Sequence, residues 1–199
     1  MSEQVSNQLF PVFLQLNQLR TLLVGGGNVA LEKLTALLGN SPAASIKIVG
    51  REISPAVRAF ANDYPLVSLH ERIFHDTDLD GIDVVVVAAD NTELNRHIRN
   101  ESRRRHLLIN VADKPDLCDF YLGSVVKKGN LKIGISTNGK SPTIAKRLKE
   151  LLNEALPEDI DETLTYMSRL RDTLKGDFTD KVKTLNAHTA SLLASHSEK

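Results

Sequence analysis

Three groups of residues in the 199-residue chain combine side-chain type and spacing in ways that support chemistry. The first is Gly25-Gly26-Gly27-Asn28-Val29-Ala30, placed directly after the apolar run Leu22-Leu23-Val24. Gly25 permits a sharp turn at a strand end, Gly27 lets backbone approach a pyrophosphate, and small Ala30 lets the following helix pack tightly. The N–H groups and positive dipole end of that helix would face the phosphates. The second group is Asp113 and Lys114, a carboxylate and an ammonium in the loop Ala112-Asp113-Lys114-Pro115, just after another apolar run. The third is a bias in charge: residues 103–149 hold 11 basic and 3 acidic side chains, and the segments on either side are each net −4 in a chain of net charge zero. A +8 stretch points to an anionic ligand, while the plainer reading is a solvated face paired with its acidic flanks. A glycine triplet is likewise compatible with a simple tight turn, so both readings depend on the elements around them.

Those elements alternate between strand and helix patterns. Leu9 to Leu16, interrupted by Pro11, predicts an edge or entry strand. The strand ending at Val24 follows, then a helix with Val29, Ala30, Leu34, Leu37 and Leu38 on one face, stopped by Gly39-Asn40. Ser45 to Val49 completes a β-α-β unit. Ser54 and Pro55 read as the N-cap and first residue of a helix reaching about Asn62, and Val67 to Ile73 alternates like a third strand. Ile82 to Ala89 contains four consecutive valines and predicts a central parallel strand, buried on both faces beside the strand of the glycine turn. Its small Ala88 and Ala89 leave room for a cofactor outside the strand ends. Thr92 to Arg105 predicts a helix and Leu107 to Val111 another strand. With right-handed crossovers, few layouts remain besides an open doubly wound sheet.

Beyond Val111 the pattern changes. Asp119 to Val126 and Asn130 to Thr137 predict two strands joined at Lys127-Lys128-Gly129. A two-stranded ribbon is marginal alone, and a second copy of itself is the economical support, giving an isologous dimer. Ser141 and Pro142 open a helix with Ile144, Ala145, Leu148, Leu151 and Leu152 near one face, ended by Pro157. Helical spacing continues through Leu164, Met167, Leu170, Leu174, Val182 and Leu185 towards Leu193, and the terminal HSEK is expected to fray.

Composition sets the outer bounds. With 41% hydrophobic and 25% charged residues, the chain reads as an ordinary globular protein. No apolar run approaches the roughly 20 residues that span a bilayer, and MSEQVSNQLF lacks the layout of a signal peptide. A cytoplasmic location is expected, with neither membrane nor nucleic acid as partner. The single cysteine, Cys118, excludes an intrachain disulfide and a multi-cysteine metal site, and reads as a small core residue. His70, His75, His97, His106, His188 and His196 have no metal-ligand spacing, so no metal site is expected. About 20 residues past Ala30, where an acidic residue would bind the ribose of NAD, the sequence has Gly50, then Arg51 and Glu52. Arg51 suits adenine or a 2′-phosphate and Glu52 suits a ribose hydroxyl, so spacing alone leaves NAD and NADP both open.

GGGNVALEK, the AADN that runs into TELN, NVADKP and GISTNGKSPTIAKRL, in this order and spacing, resemble the precorrin-2 dehydrogenases, including the dehydrogenase part of siroheme synthase, over roughly residues 8–155. The resemblance implies an α/β fold: a Rossmann-like doubly wound parallel sheet, then a small β dimerisation region and a helical C-terminal domain. The expected divisions are 1–112, 113–142 and 143–199, in a homodimer. It implies NAD-dependent oxidation of precorrin-2 to sirohydrochlorin for siroheme or cobalamin synthesis, and in some relatives insertion of ferrous iron. NAD contacts carry over onto Asn28, Val29, Arg51, Glu52 and Ile53, beside Gly25, Gly27 and Ala89 of the turn and the central strand. The catalytic aspartate carries over onto Asp113. A serine implicated in tetrapyrrole binding in some relatives falls on Thr137, and the two specific motifs make Lys114, Asn138, Lys140 and Ser141 further candidates for substrate binding. Precorrin-2 is a polycarboxylate, which gives the basic segment a ligand; Lys127, Lys128, Lys146 and Arg103 to Arg105 are additional candidates. In this reading Asp113 accepts the proton while the nicotinamide accepts the hydride. A loop aspartate capping backbone N–H groups is the bland alternative for Asp113. A non-enzymatic NAD-binding redox sensor is the alternative for the whole chain, and it would use the same turn without a tetrapyrrole cleft.

Overall fold

Alternation of apolar side chains along short parallel strands builds two layers around one sheet. The computed structural model describes residues 7–174 and 178–189. Its first unit contains β1 (Arg20–Val24), α1 (Asn28–Asn40), β2 (Ser45–Gly50), α2 (Pro55–Ala61), β3 (Val67–Glu71), β4 (Val84–Val87), α3 (Thr92–Arg104) and β5 (Leu108–Val111). The five strands are parallel in the order β3-β2-β1-β4-β5, the doubly wound arrangement of a Rossmann-like fold. Leu23, Ile46, Ile48 and Val86 meet Ala30, Leu34, Leu37 and Leu38 of α1 in one core. Leu22, Val24, Val85, Val87, Ile109 and Val111 meet Ile98 of α3 on the opposite face. The period of two along each strand therefore divides successive residues between the layers. All four valines of β4 are buried, as the uninterrupted apolar run predicts.

Helix ends follow local chemistry. Ser54 Oγ accepts the Val57 N–H at 3.3 Å with Pro55 in the first turn of α2, and Asn91 Oδ1 accepts the Leu94 N–H at 2.9 Å at the start of α3. Gly39 and Asn40 lie in the last turn of α1, with Ser41 as its C-cap.

The entry strand expected over residues 9–16 does not form. That segment has no strand partner, Phe10, Val12 and Phe13 are exposed, and Leu16–Gln18 is a 3-10 turn. Pro11 lacks the N–H that a ladder needs, and apolar content alone does not supply a sheet edge to pair with.

Contacts group the chain up to Gly123, with Asn138–Lys140, into this first unit. The second unit comprises Ser124–Thr137 and the chain from Ser141. It contains an antiparallel ribbon, β6 (Ser124–Lys128) and β7 (Leu131–Ile135), then α4 (Pro142–Ala155), α5 (Ile160–Thr173) and α6 (Phe178–Thr189). The first ribbon strand begins at Ser124 rather than Asp119, because Asp119 is taken by an ion pair with Arg99. On α4, Ala145 is buried, whereas Ile144, Leu148 and Leu151 are exposed. The expected frayed HSEK and Leu193 lie outside the described residues. No described helix is long and apolar enough to cross a membrane.

One buried charge ties the β3 side of the sheet together. Asp78, 2% exposed, accepts from Lys47 Nζ at 2.7 Å, from both terminal nitrogens of Arg72 at 2.8 and 2.6 Å, and from the His75 N–H at 2.9 Å. Burial alone would raise the pKa of this carboxyl. Arg72, Lys47 and the His75 N–H outweigh it and hold the group far below the usual carboxylate range. Asp78→Ala is expected to cost about 2–4 kcal/mol at pH 7, at or below the usual cost of breaking a buried pair because Lys47 and Arg72 can rehydrate. The folded-state pKa is depressed, so the contribution is complete above the unfolded value near 4 and is lost as pH falls below it. Urea denaturation of wild type and variant at pH 7 and pH 3 should show the gap narrowing at the lower pH.

Candidate functional site

The sheet reverses its winding between β1 and β4, and the carboxyl ends of these strands and of β2 enclose an open cleft of ≈ 430 Å³. Gly25, Gly26, Gly27, Asn28 and Val29 line it from β1 and α1, Gly50, Arg51 and Glu52 from the end of β2, and Ala88, Ala89 and Asp90 from the end of β4. This is where open α/β sheets bind ligands.

Each of the three glycines has a different task. Gly25 adopts φ +127°, and a side chain there would also press on the Ala88 carbonyl. A Cβ on Gly26 would overlap the Glu52 carbonyl oxygen, and the Gly26 carbonyl accepts the Ser54 N–H at 2.9 Å. Gly26 is thus the contact between the glycine turn and the loop after β2, although the G-x-G pattern treats its position as variable. At Gly27 a Cβ would meet nothing within 4 Å. The absent side chain there leaves open space at the start of α1, which is what close approach of a phosphate requires. No side chain caps α1, so its first-turn N–H groups have no intrahelical or capping acceptor. Backbone donors, open space and a helix N-terminus fit a dinucleotide pyrophosphate.

The loop after β2 is braced from beneath. Glu71 Oε1 accepts the Ile53 N–H at 2.8 Å, and Arg58 joins the Glu71 carboxylate at 2.7 Å while donating to the Ile53 carbonyl at 3.2 Å. The Ile53 N–H first, then Arg58, lower the pKa of Glu71. Arg51 and Glu52 lie exposed on the cleft wall, whereas the Ile53 side chain is buried in the core and its N–H is taken. On the opposite wall, Asn95 Nδ2 donates to the Ala89 carbonyl at 3.1 Å. Arg58, Glu71 and Asn95 were not among the sequence candidates, because supports of a cleft leave no short motif.

Asp113 lies in the turn after β5, the neighbour of β4. Its φ of +57° is left-handed, which aspartate tolerates better than most residues. The side chain is exposed and has no hydrogen-bond or ion-pair partner among the described residues, so it caps no backbone N–H. Lys114 is exposed beside it. Cys118 is half-buried: its sulfur lies 3.2 Å from both the N and the O of Val111 and 3.3 Å from the Lys114 carbonyl, and burial pushes the thiol pKa up.

The remaining candidates belong to the ribbon and α4. Thr137 Oγ1 donates to the Ser141 carbonyl at 3.1 Å and accepts the Ser141 N–H at 3.2 Å, closing the loop over Asn138, Gly139 and Lys140. Ser141 Oγ accepts the Ile144 N–H at 3.2 Å and caps α4. Both hydroxyls therefore shape the loop, and Asn138 and Lys140 are its exposed polar groups. Among the basic residues, Lys128 is held by the Leu156 carbonyl and Glu158, while Arg104 and Arg105 pair with Glu101. No described group of His, Cys, Asp and Glu has the arrangement to hold a metal ion. His196 lies outside the described residues.

A family profile described as putative NAD(P)-binding matches residues 12–124, and one described as sirohaem biosynthesis protein central matches residues 128–155. The chain is 31% identical over 176 residues to a siroheme synthase of Pseudoalteromonas atlantica, covering 88% of this chain and 37% of that protein. It is 31% identical over 165 residues to a siroheme synthase of Methylococcus capsulatus, covering 83% of this chain and 34% of that protein. The chain thus spans about a third of the length of these curated relatives. A solved precorrin-2 dehydrogenase, SirC, shares the fold with a TM-score of 0.70 at 22% identity, covering 90% of this chain and 88% of that one.

The glycines make separable predictions. Gly27→Ala should fold with an unchanged melting temperature yet bind dinucleotide at least about tenfold more weakly, since the new methyl enters only the ligand's space. Gly26→Ala should lower the melting temperature as well, because its methyl meets the Glu52 backbone. Thermal melts paired with dinucleotide titration separate the two outcomes.

Proposed function

The chain belongs to the putative NAD(P)-binding family, and on that footing we propose that it oxidises precorrin-2 to sirohydrochlorin with NAD as hydride acceptor, as a step of siroheme or cobalamin synthesis. The observation that carries this reading is the pairing of an uncapped helix N-terminus at the β1–β4 cleft with an unpartnered carboxylate, Asp113, at the end of the adjacent β5.

NAD supplies the two-electron acceptor. The chain's own residues hold it and move the proton. Gly27 would admit the pyrophosphate, the first N–H groups of α1 would donate to it, and Glu52 would accept from a ribose hydroxyl, all three groups lining the cleft. A carboxylate at that position would repel the 2′-phosphate of NADP, which favours NAD. As the substrate loses hydride, a carboxylate oxygen of Asp113 takes the proton. Its exposure and lack of partners leave it available to do so. Lys114, Asn138 and Lys140 are exposed polar groups suited to the carboxylates of a tetrapyrrole. The reaction belongs to a cytoplasmic metabolite pool.

Asp113→Asn keeps the preference for left-handed backbone and removes the base. It should reduce NAD-dependent formation of sirohydrochlorin, followed by its absorbance, by about 10²–10⁴-fold with NAD affinity unchanged. Undiminished turnover would overturn the role of Asp113, and no turnover by wild type with NAD would overturn the reaction itself. Repeating the assay with ferrous ion reads out iron insertion.

The working form in this proposal is a homodimer. The exposed row Ile144, Leu148 and Leu151 on α4 supports it. Leu148→Asp should shift the mass measured by light scattering from dimer towards monomer; a wild-type monomer at micromolar concentration would contradict the assembly.

A further inference from the structure

The loop that carries Asp113 is held shut at its base by an ion pair that the reaction scheme above does not use. Arg99 on α3 is buried, 6% exposed, and joins Asp119 through two parallel bonds of 2.5 and 2.7 Å. The Asp119 carboxylate also accepts the Ile109 N–H at 3.2 Å, and the Asp119 N–H donates to the Ile109 carbonyl at 2.7 Å. Residues 109 and 119 are thereby fastened to each other and to α3. Within that closure, the Cys118 sulfur accepts the Val111 N–H, and its single S–H has the carbonyls of Val111 and Lys114, on either side of the turn containing Asp113, as acceptors within 3.3 Å. Lys114 N–H to Val111 O, at 3.3 Å, closes the turn itself.

We infer that Arg99 and Asp119 are positioning residues: their ion pair, with Cys118 beneath the loop, fixes the left-handed turn that presents the Asp113 carboxylate to the substrate. The inference rests on the reaction proposed above. Its physical basis is that a buried guanidinium held by one bidentate carboxylate has a single geometry. The closed loop therefore inherits its position from α3, an element packed into the core through Ile98. The cleft for the dinucleotide is made by other strands and loops, so the pair should govern turnover without governing cofactor binding.

The test uses the full chain with Asp119→Asn, Asp119→Glu and Arg99→Lys. Asp119→Asn removes the charge but keeps an acceptor, and should lower kcat for precorrin-2 oxidation by on the order of 10–10²-fold. The KM and the dissociation constant for NAD should stay within about twofold of wild type. Amide hydrogen exchange over residues 112–118 should accelerate, and Asp119→Glu should recover part of the kcat. If Asp119→Asn fails to fold, Arg99→Lys, which keeps the cation and loses the paired geometry, carries the same comparison. A wild-type kcat per NAD-binding site in the folded variant overturns the inference, as does a loss of kcat matched by an equal loss of NAD affinity. If wild type itself does not oxidise precorrin-2 while binding NAD normally, the reaction reading has failed and the inference falls with it. That outcome is distinguishable because it is seen before any substitution is made.

Discussion

At Gly26 the backbone of the glycine turn lies so close to the Glu52 carbonyl that no side chain fits between them. That steric constraint brings the ends of β1 and β2 together. It is reinforced by the bond from the Ser54 N–H to the Gly26 carbonyl and by Gly50, whose own Cβ would stand 3.1 Å from the Gly26 nitrogen. On the other side Gly25 lies against the Ala88 carbonyl at the end of β4. Three strand ends are thus packed by backbone rather than by side chains, and the cleft is the space left over once they are. Its shape depends little on rotamers, which suits a site that must present fixed N–H donors to a ligand.

Polar bonds in the first unit, two of them made by the buried side chains of Asn95 and Arg99, serve the same end. Glu71 with Arg58 brace the loop after β2, Asn95 holds the Ala89 carbonyl, and Arg99 with Asp119 close the loop after β5. Each joins a loop at the carboxyl edge of the sheet to an adjacent strand or helix. Loops carry the reactive groups and have few apolar contacts of their own, so their order has to come from such bonds. For Asp119 the Arg99 guanidinium first, and then the Ile109 N–H, hold the carboxyl below its ordinary pKa. The pair therefore stays charged through the neutral range.

The layered sheet was legible in the sequence because its signals are local and redundant. Four consecutive valines, the glycine turn and the Ser54-Pro55 start each report on a few adjacent residues, and the β-α-β order leaves few layouts besides an open doubly wound sheet. The Leu9–Leu16 segment misled because strand pairing is not local: Phe10 and Phe13 carry the right side chains, but no sheet edge meets them. Asp119 was read as the start of a strand for the same reason, its partner Arg99 lying 20 residues earlier. Within the candidate site, motif positions such as Gly25, Gly27, Arg51, Glu52 and Ala89 do line one cleft. The supports do not announce themselves, since Asn95, Glu71 and Arg58 act by geometry that only the folded chain displays.

The charge bias shows how far a count of residues can be taken. Of the basic side chains in residues 103–149, Lys128 is nearly buried and bound to Glu158 and the Leu156 carbonyl, fastening the ribbon to the end of α4. Arg104 and Arg105 are drawn to Glu101, whose pKa is lowered chiefly by the Arg105 bond. These cations offset acidic groups of the neighbouring segments, as a solvated-face reading of the composition would have it. Lys114 and Lys140 differ in kind: they are exposed, and they stand in loops whose shape is set by other residues, Cys118 for one and Thr137 with Ser141 for the other. A cation that holds no part of the fold can meet an anionic ligand without giving up a bond. The charge left without an acidic partner is therefore smaller than the +8 of the segment, and Lys114 and Lys140 stand in the two loops whose sequences, NVADKP and STNGKSP, are the most specific in the chain.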